Sequence, residues 1–219
     1  MKLNKTYVIG VTGGVGSGKS TALDYLCLEY NCVVIKADDV GNEVKLKGHV
    51  CYDSLVNLLG IEVLDKDGEI DKSKMASRIF NDDSLRNKVN EIIHPNVRTE
   101  IENFIKLNSN KYDVIFIEAA LLVEANYFPI LNELWEIRAC NDTRIKRLEE
   151  NRGYSVSKSQ SIMASQNHDI SFYKDKSDDY SSKALRSDYF GYKLIVNDSD
   201  KKDLFNKLDS VMEGILNGK

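Results

Sequence analysis

The sequence predicts an α/β protein: a parallel sheet of about five strands with helices on both faces and a helical insertion after the second strand. Three observations carry that expectation. An apolar, β-prone run at Tyr7–Val11 passes through a glycine-rich stretch into a segment where Leu23, Leu26, Cys27 and Tyr30 recur at helical spacing. A second apolar run, Cys32–Ile35, follows that helix, and strand–helix–strand of this length implies a βαβ unit. The pattern is then helical from about Asp39 to Lys106 and returns to short apolar runs at Val114–Ile117, Leu134–Arg138 and Lys193–Val196.

The turn after the first run reads Gly13-Gly14-Val15-Gly16-Ser17-Gly18-Lys19-Ser20-Thr21. It satisfies G-x-x-x-x-G-K-[ST], and strand, glycine-rich turn and helix form the context in which that pattern binds phosphate. Glycines let successive backbone N–H groups converge on phosphate oxygens, and the positive end of the new helix adds to the field. Lys19 can reach β- and γ-phosphates, and the Ser20 hydroxyl can hold Mg²⁺. The whole stretch is therefore a candidate for binding a nucleoside triphosphate, in a P-loop NTPase-type three-layer fold. The alternative is a glycine-rich turn that only packs close to a sheet.

Composition sets bounds on this reading. The 219 residues are 42% hydrophobic and 29% charged, ordinary globular material for one α/β domain with an inserted subdomain. A net charge of −4 argues against a general nucleic-acid or anionic-membrane binder. Cys27, Cys32, Cys51 and Cys140 form no C-x-x-C pair, so reduced thiols in a cytoplasmic protein are expected. The first apolar run is a short strand ending in glycines rather than a targeting segment, and no segment is long enough to span a bilayer.

Within the insertion, Leu55, Leu58 and Leu59 form one apolar stripe, Met75, Ile79 and Phe80 a second, and Leu85, Val89, Ile92 and Ile93 a third. Ser84 is a candidate N-cap for the third. Asp65-Lys66-Asp67-Gly68 is turn chemistry. His94-Pro95 is expected to end that helix and start another, continued by Val97, Ile101, Phe104 and Ile105. The expected division is a core of residues 1–37 and 111–219, with lid-like helices at about 141–190, and a substrate-binding insertion at 38–110. In the lid region, Asn141-Asp142-Thr143 offers N-caps for one helix, and a second is expected from about Ser157 to Gln166. The segment 167–191, rich in Ser, Asp, Lys and Tyr, is expected to be mobile. Leu204, Leu208, Val211, Met212 and Ile215 mark a closing amphipathic helix.

Four constellations bear on the chemistry. Asp38 follows the second strand, on the side of an open sheet where ligands bind, and could orient and deprotonate an acceptor hydroxyl. Its alternative role, shared with Asp39, is to cap the next helix. Arg144, Arg147 and Arg152 lie on and after one helix, where guanidinium forks could offset phosphoryl charge; the alternative is a solvated face pairing with Glu149 and Glu150. Glu118 ends a strand as a Walker-B acid would and could hold Mg²⁺ through water, or be a polar cap. His94 and Arg98, one helical turn apart, could meet a phosphate-bearing substrate, and a satisfied structural histidine is the alternative.

These residues together resemble the dephospho-coenzyme A kinase family. The resemblance runs from Ile9 to about Gln166 and resumes near Lys193. It rests on VTGGVGSGKST at Val11–Thr21, IKADDV at Ile35–Val40, LLGIEVLDKDGEID at Leu58–Asp71 and IIHPNVR at Ile92–Arg98. It continues through EAALLVE at Glu118–Glu124, RLEENRGY at Arg147–Tyr154, MASQ at Met163–Gln166 and IVNDS at Ile195–Ser199. Lys36 stands where the family has an acid, and Ala120 where it has a proline. The resemblance implies ATP-dependent phosphorylation of the ribose 3′-hydroxyl of dephospho-coenzyme A, the last step of coenzyme A synthesis. It also implies Asp38 as base, Lys19 and Ser20 as phosphate and magnesium residues, the arginines as lid groups, and Glu124 in a substrate loop. A nucleoside or nucleoside-monophosphate kinase, or a nucleotide-binding switch without transfer, are the competing readings.

Overall fold

The computed structural model describes residues 6–119, 122, 127–166, 175 and 191–217. Five strands form one sheet in the order β2-β3-β1-β4-β5, with β1 at Tyr7–Thr12, β2 at Cys32–Lys36, β3 at Val114–Glu118, β4 at Glu133–Arg138 and β5 at Gly191–Val196. β1 runs parallel to both β3 and β4, and β4 parallel to β5. The predicted α/β class and parallel sheet are therefore present. β1 is the central strand, buried on both sides, which is why it reads as a continuous apolar run.

The chain forms two compact units, Met1–Ile35 with Asn108–Lys219, and Lys36–Leu107. These limits lie slightly earlier than the expected 38–110 insertion at both ends. In the first unit, Ile9 and Val11 of β1 join Phe116, Trp135 and Ile195 on one sheet face. Leu23 and Leu26 of helix α1 (Lys19–Glu29) and Leu204, Leu208 and Met212 of the C-terminal helix (Lys201–Asn217) cover them. The two helices are tied by Tyr25 stacked on Phe205, with centroids 3.9 Å apart, and by Tyr25 and Tyr30 hydroxyls donating to Asp209. On the opposite face Gly10 leaves room for Leu131, whose Cδ1 would lie 2.6 Å from a Cβ there.

The second unit holds α2 (Ala37–Glu43), α3 (Tyr52–Leu59), α4 (Lys72–Ile79) and most of α5 (Asp83–Asn108). The predicted Asp65–Gly68 turn is a hairpin tip closed by a Leu64–Ile70 bridge, with Asp65 Oδ1 accepting the Asp67 and Glu69 amides at 2.9 Å. Several expectations need correction. Asp82, not Ser84, caps α5: its carboxylate accepts the Leu85 amide at 2.8 Å. Helix α6 (Asn141–Arg152) begins one step earlier than expected, with Cys140 as N-cap. Helix α7 spans Val156–Ser165 with Ser155 as its cap. The expectation of mobility at 167–191 falls almost wholly outside the described residues.

The largest correction concerns Pro95, which lies inside a continuous α5 rather than between two helices. Proline removes the bond to the Glu91 carbonyl. Glu91 and Pro95 are exposed, so water can satisfy that carbonyl, while Val89, Val97 and Ile101 stay buried along one stripe through the proline. The Asn96 side chain donates to the Ile92 carbonyl at 2.7 Å and Thr99 Oγ1 to Pro95 O at 3.0 Å, reinforcing the turn. Among the described residues, no helix is long and apolar enough to cross a membrane.

Pro95→Ala should stabilise the protein. Restoring the helical N–H is worth up to about 3 kcal/mol, against about 0.4–1 kcal/mol lost through a freer unfolded chain. A higher urea midpoint is the expected result; a lower one would mean the helix needs its proline.

Candidate active site

The sequence puts its glycines where the backbone allows nothing else. β1 ends at Thr12, and the chain turns through Gly13, Gly16 and Gly18 at φ of 141°, 77° and 97° before α1 begins at Lys19. A Cβ on Gly13 would lie 2.1 Å from the Ile137 carbonyl oxygen, a backbone atom that cannot yield. One on Gly14 would meet the Arg144 guanidinium at 2.4 Å, and one on Gly18 the Asn197 amide nitrogen at 2.3 Å.

Three of the loop carbonyls are held by side chains. Lys19 Nζ donates to Gly13 O at 2.6 Å, Arg144 Nε to Val15 O at 2.8 Å, and Asn197 Nδ2 to Ser17 O at 2.8 Å. Because a trans peptide sets C=O and N–H on opposite sides, fixing the Val15 and Ser17 carbonyls turns the Gly16 and Gly18 N–H groups the other way. Among the described residues those two N–H groups donate to nothing in the protein. Two inward amides, a lysine and the start of a helix form an anion cradle. The Thr12 and Ser17 hydroxyls, buried and without hydrogen-bond partners, stand beside it.

The structure separates the three lid arginines. Arg144 lies across Gly14, and burial of its guanidinium pulls its pKa below the usual arginine range; it remains a cation whose other N–H groups can meet phosphate. Arg147 braces the loop instead: it donates to Asn197 O at 3.0 Å, to Asn197 Oδ1 at 3.3 Å and to Ser17 O at 3.5 Å. Arg152 is exposed on the last turn of α6. Glu118 ends β3 opposite Val11 in the parallel register, one strand from the loop. Ser20 is in the first turn of α1 with Thr21 after it.

Two residues that the residue chemistry alone did not single out belong to this site. Gln166 Oε1 accepts the Val15 amide at 2.9 Å, joining the end of α7 to the loop. Asn197 is buried after β5 and links Ser17 to Arg147. The only sequence signal for either was its place in the MASQ and IVNDS strings.

In the second unit, Asp38 is exposed in the first turn of α2, which begins directly after β2 rather than after a loop. A cavity of about 310 Å³ is lined by Lys45, Leu46, Ile70, Lys72 and Met75 with Asp39 and Glu69. Burial and then the nearby Lys72 lower the Lys45 pKa, and Cys51 and Asp38 oppose that shift. His94 is half-buried with a partner in the protein, and Arg98 Nε donates to Glu102 at 2.8 Å. Glu124 lies outside the described residues.

Comparison with known proteins decides the family. The sequence profile described as dephospho-CoA kinase matches residues 7–175. The chain belongs to the dephospho-CoA kinase family. It is 35% identical to a dephospho-CoA kinase of Streptococcus mutans over 161 residues, 74% of this chain and 81% of the relative. It is 33% identical to that of Carboxydothermus hydrogenoformans over 68% of this chain and 72% of the relative. Among solved structures, TT1252 from Thermus thermophilus superposes with a TM-score of 0.72 at 21% identity, covering 96% of this chain and 98% of that one. The dephospho-CoA kinase from Campylobacter jejuni follows at 0.57 and 18%, covering 96% and 97%. At those identities the structures speak for the fold alone.

Gly18→Ala should weaken ATP binding at least tenfold, since it combines a positive φ with a clash. Pairing it with Asn197→Ala removes the clash and leaves the φ strain. Titration calorimetry of both, with Asn197→Ala alone as the reference for the lost Ser17 brace, should show a smaller loss from Gly18→Ala in the Asn197→Ala background if sterics matter; an equal loss would assign the penalty to φ.

Proposed function

We propose that this chain transfers the γ-phosphoryl group of ATP to the ribose 3′-hydroxyl of dephospho-CoA, the last step of coenzyme A synthesis. The observation that carries the proposal is the braced amide cradle in a chain of this family. Phosphoryl transfer asks mainly for positioning and charge compensation. The Gly16 and Gly18 N–H groups and the α1 N-terminus hold the β- and γ-phosphate oxygens. Lys19, whose ammonium donates to Gly13 O at 2.6 Å and Gly14 O at 3.4 Å, brings its positive charge to the phosphates. Arg144 offsets charge on the transferring group, and Arg147 keeps the loop in shape. Asp38 accepts the hydrogen bond, and then the proton, of the acceptor hydroxyl.

Magnesium fits the donor set: a hydroxyl on α1 and a carboxylate at the end of β3 are hard oxygen ligands beside the loop. Ser20 and Glu118 would hold it, directly or through water, and when bound it supplies charge neutralisation across the phosphates. Among the described residues, no group of three or more His, Cys, Asp or Glu side chains could hold a metal. The cavity of the second unit sets Leu46, Ile70 and Met75 beside Lys45 and Lys72, whose charges Asp39, Glu43 and Glu69 offset, a lining suited to the uncharged arm of the acceptor rather than to its diphosphate. His94, Arg98 and Glu124 are further acceptor contacts in this reading. Four unbridged cysteines support a cytoplasmic setting.

The test is a phosphotransfer assay with Mg-ATP, offering dephospho-CoA beside nucleosides and nucleoside monophosphates. Phosphorylation of dephospho-CoA alone is expected; transfer to a nucleoside instead, or to no acceptor, rejects the proposal. Asp38→Asn should lower kcat by roughly two to four orders of magnitude with ATP affinity nearly unchanged. Normal turnover in that variant would remove Asp38 as the base. Lys19→Ala should abolish transfer.

A further inference from the structure

The four thiols of this chain are not equivalent, and two of them are neighbours. Cys27 is exposed on the last turn of α1, and Cys32 is the buried first residue of β2. Their Sγ atoms are 3.6 Å apart across the turn between the two elements, and Cys32 also donates its S–H to the Leu26 carbonyl at 3.3 Å. A disulfide has an S–S length near 2.05 Å, so closure asks for about 1.5 Å of approach. Cys27 can supply that by side-chain rotation, since it is exposed. By contrast Cys51 is buried against the Ile92 carbonyl, and Cys140 is exposed beside the Thr143 hydroxyl. Neither role in the phosphate loop nor in the second unit uses the Cys27–Cys32 pair.

We propose that Cys27 and Cys32 form a reversible dithiol–disulfide site that takes a low-molecular-weight disulfide as its oxidant. The Cys27 thiolate attacks one sulfur of the disulfide; the S–S bond breaks and one thiolate leaves, taking up a proton from water. Cys32 then loses its proton to solvent and attacks Cys27 Sγ, expelling the second thiol and leaving the protein disulfide. Two protein thiols are oxidised and one small disulfide is reduced to two thiols. The order of roles follows from exposure. Burial, and then Cys27 beside it, raises the Cys32 pKa and keeps it a neutral thiol, so Cys27 reacts first and Cys32 resolves. An exposed thiol with a resolving neighbour ends as a disulfide, whereas an exposed thiol without one, such as Cys140, ends as a mixed adduct. The site is independent of what the kinase phosphorylates.

The sequence provides a clean readout. Trypsin releases Cys27 and Cys32 together on Ser20–Lys36, while Cys140 leaves on Ala139–Arg144 and Cys51 on a third peptide. The reduced, full-length protein is incubated with oxidised glutathione, digested without reductant and analysed by mass spectrometry. The expected result is Ser20–Lys36 lighter by two hydrogens and closed to alkylation, with Ala139–Arg144 carrying glutathione. In Cys32→Ser the same peptide should retain a glutathione adduct, and in Cys27→Ser it should stay unmodified. Dithiothreitol should return the wild-type peptide to its reduced mass. A persistent glutathione adduct on wild-type Ser20–Lys36, or an untouched peptide beside a modified Cys140, overturns the proposal.

Discussion

The first unit depends on a constraint in a few peptide planes. Between β1 and α1 the chain must present N–H groups to one side, and it can do so only if the carbonyls are held on the other. Three side chains from different parts of the sequence do the holding: Lys19 from the loop's own helix, Arg144 from α6 and Asn197 from the end of β5. Glycine is required at the positions where φ turns positive, and its conformational freedom would otherwise let the loop collapse. The braces offset that freedom with charge-assisted and amide hydrogen bonds, each worth about 0.5–3 kcal/mol. The sheet order explains why they are within reach. β4 lies next to β1 and β5 next to β4, so the chain leaving either strand emerges near the loop.

How much of this was legible in the sequence depended on whether the signal was local. The strand–loop–helix of residues 7–29 was readable because motif and periodicity coincide there. The hairpin tip at Asp65–Gly68 was readable because the aspartate bonds its own turn. Pro95 misled because propensity treats a proline as a break, and the sequence does not show that its orphaned carbonyl lies on the wet side of a helix with a buried stripe running past it. The caps shifted for local and tertiary reasons: Asp82, Asp83 and Ser84 stand in a row and spacing does not say which carboxylate or hydroxyl bonds the Leu85 amide, whereas a tertiary contact sets the start of α6. At Cys140 the chosen position is fixed by Asp198, which accepts the Cys140 amide at 2.6 Å from the loop after β5. Gln166 and Asn197 could not be derived locally, because their partners are 151 and 180 residues away in the chain.

The arginines show the same limit in chemical terms. Arg144 and Arg147 stand three apart on one helix and share the same two candidate roles in the sequence, yet a guanidinium can serve either as a charge for phosphate or as a fork for carbonyl oxygens. Arg147 has its fork filled by Asn197, Ser17 and Ser199, so its charge acts on the loop from behind. Arg144 spends one N–H on Val15 and lays the rest of its plane over Gly14, where a side chain would exclude it. A lysine at 144 could supply the charge but not the planar contact or a second direction for hydrogen bonding. The glycine at 14 and the arginine at 144 are thus one device, and the net charge of −4 hides it. Overall charge governs encounters with polyanions, whereas a single triphosphate responds to the few cations and amides gathered at the end of β1.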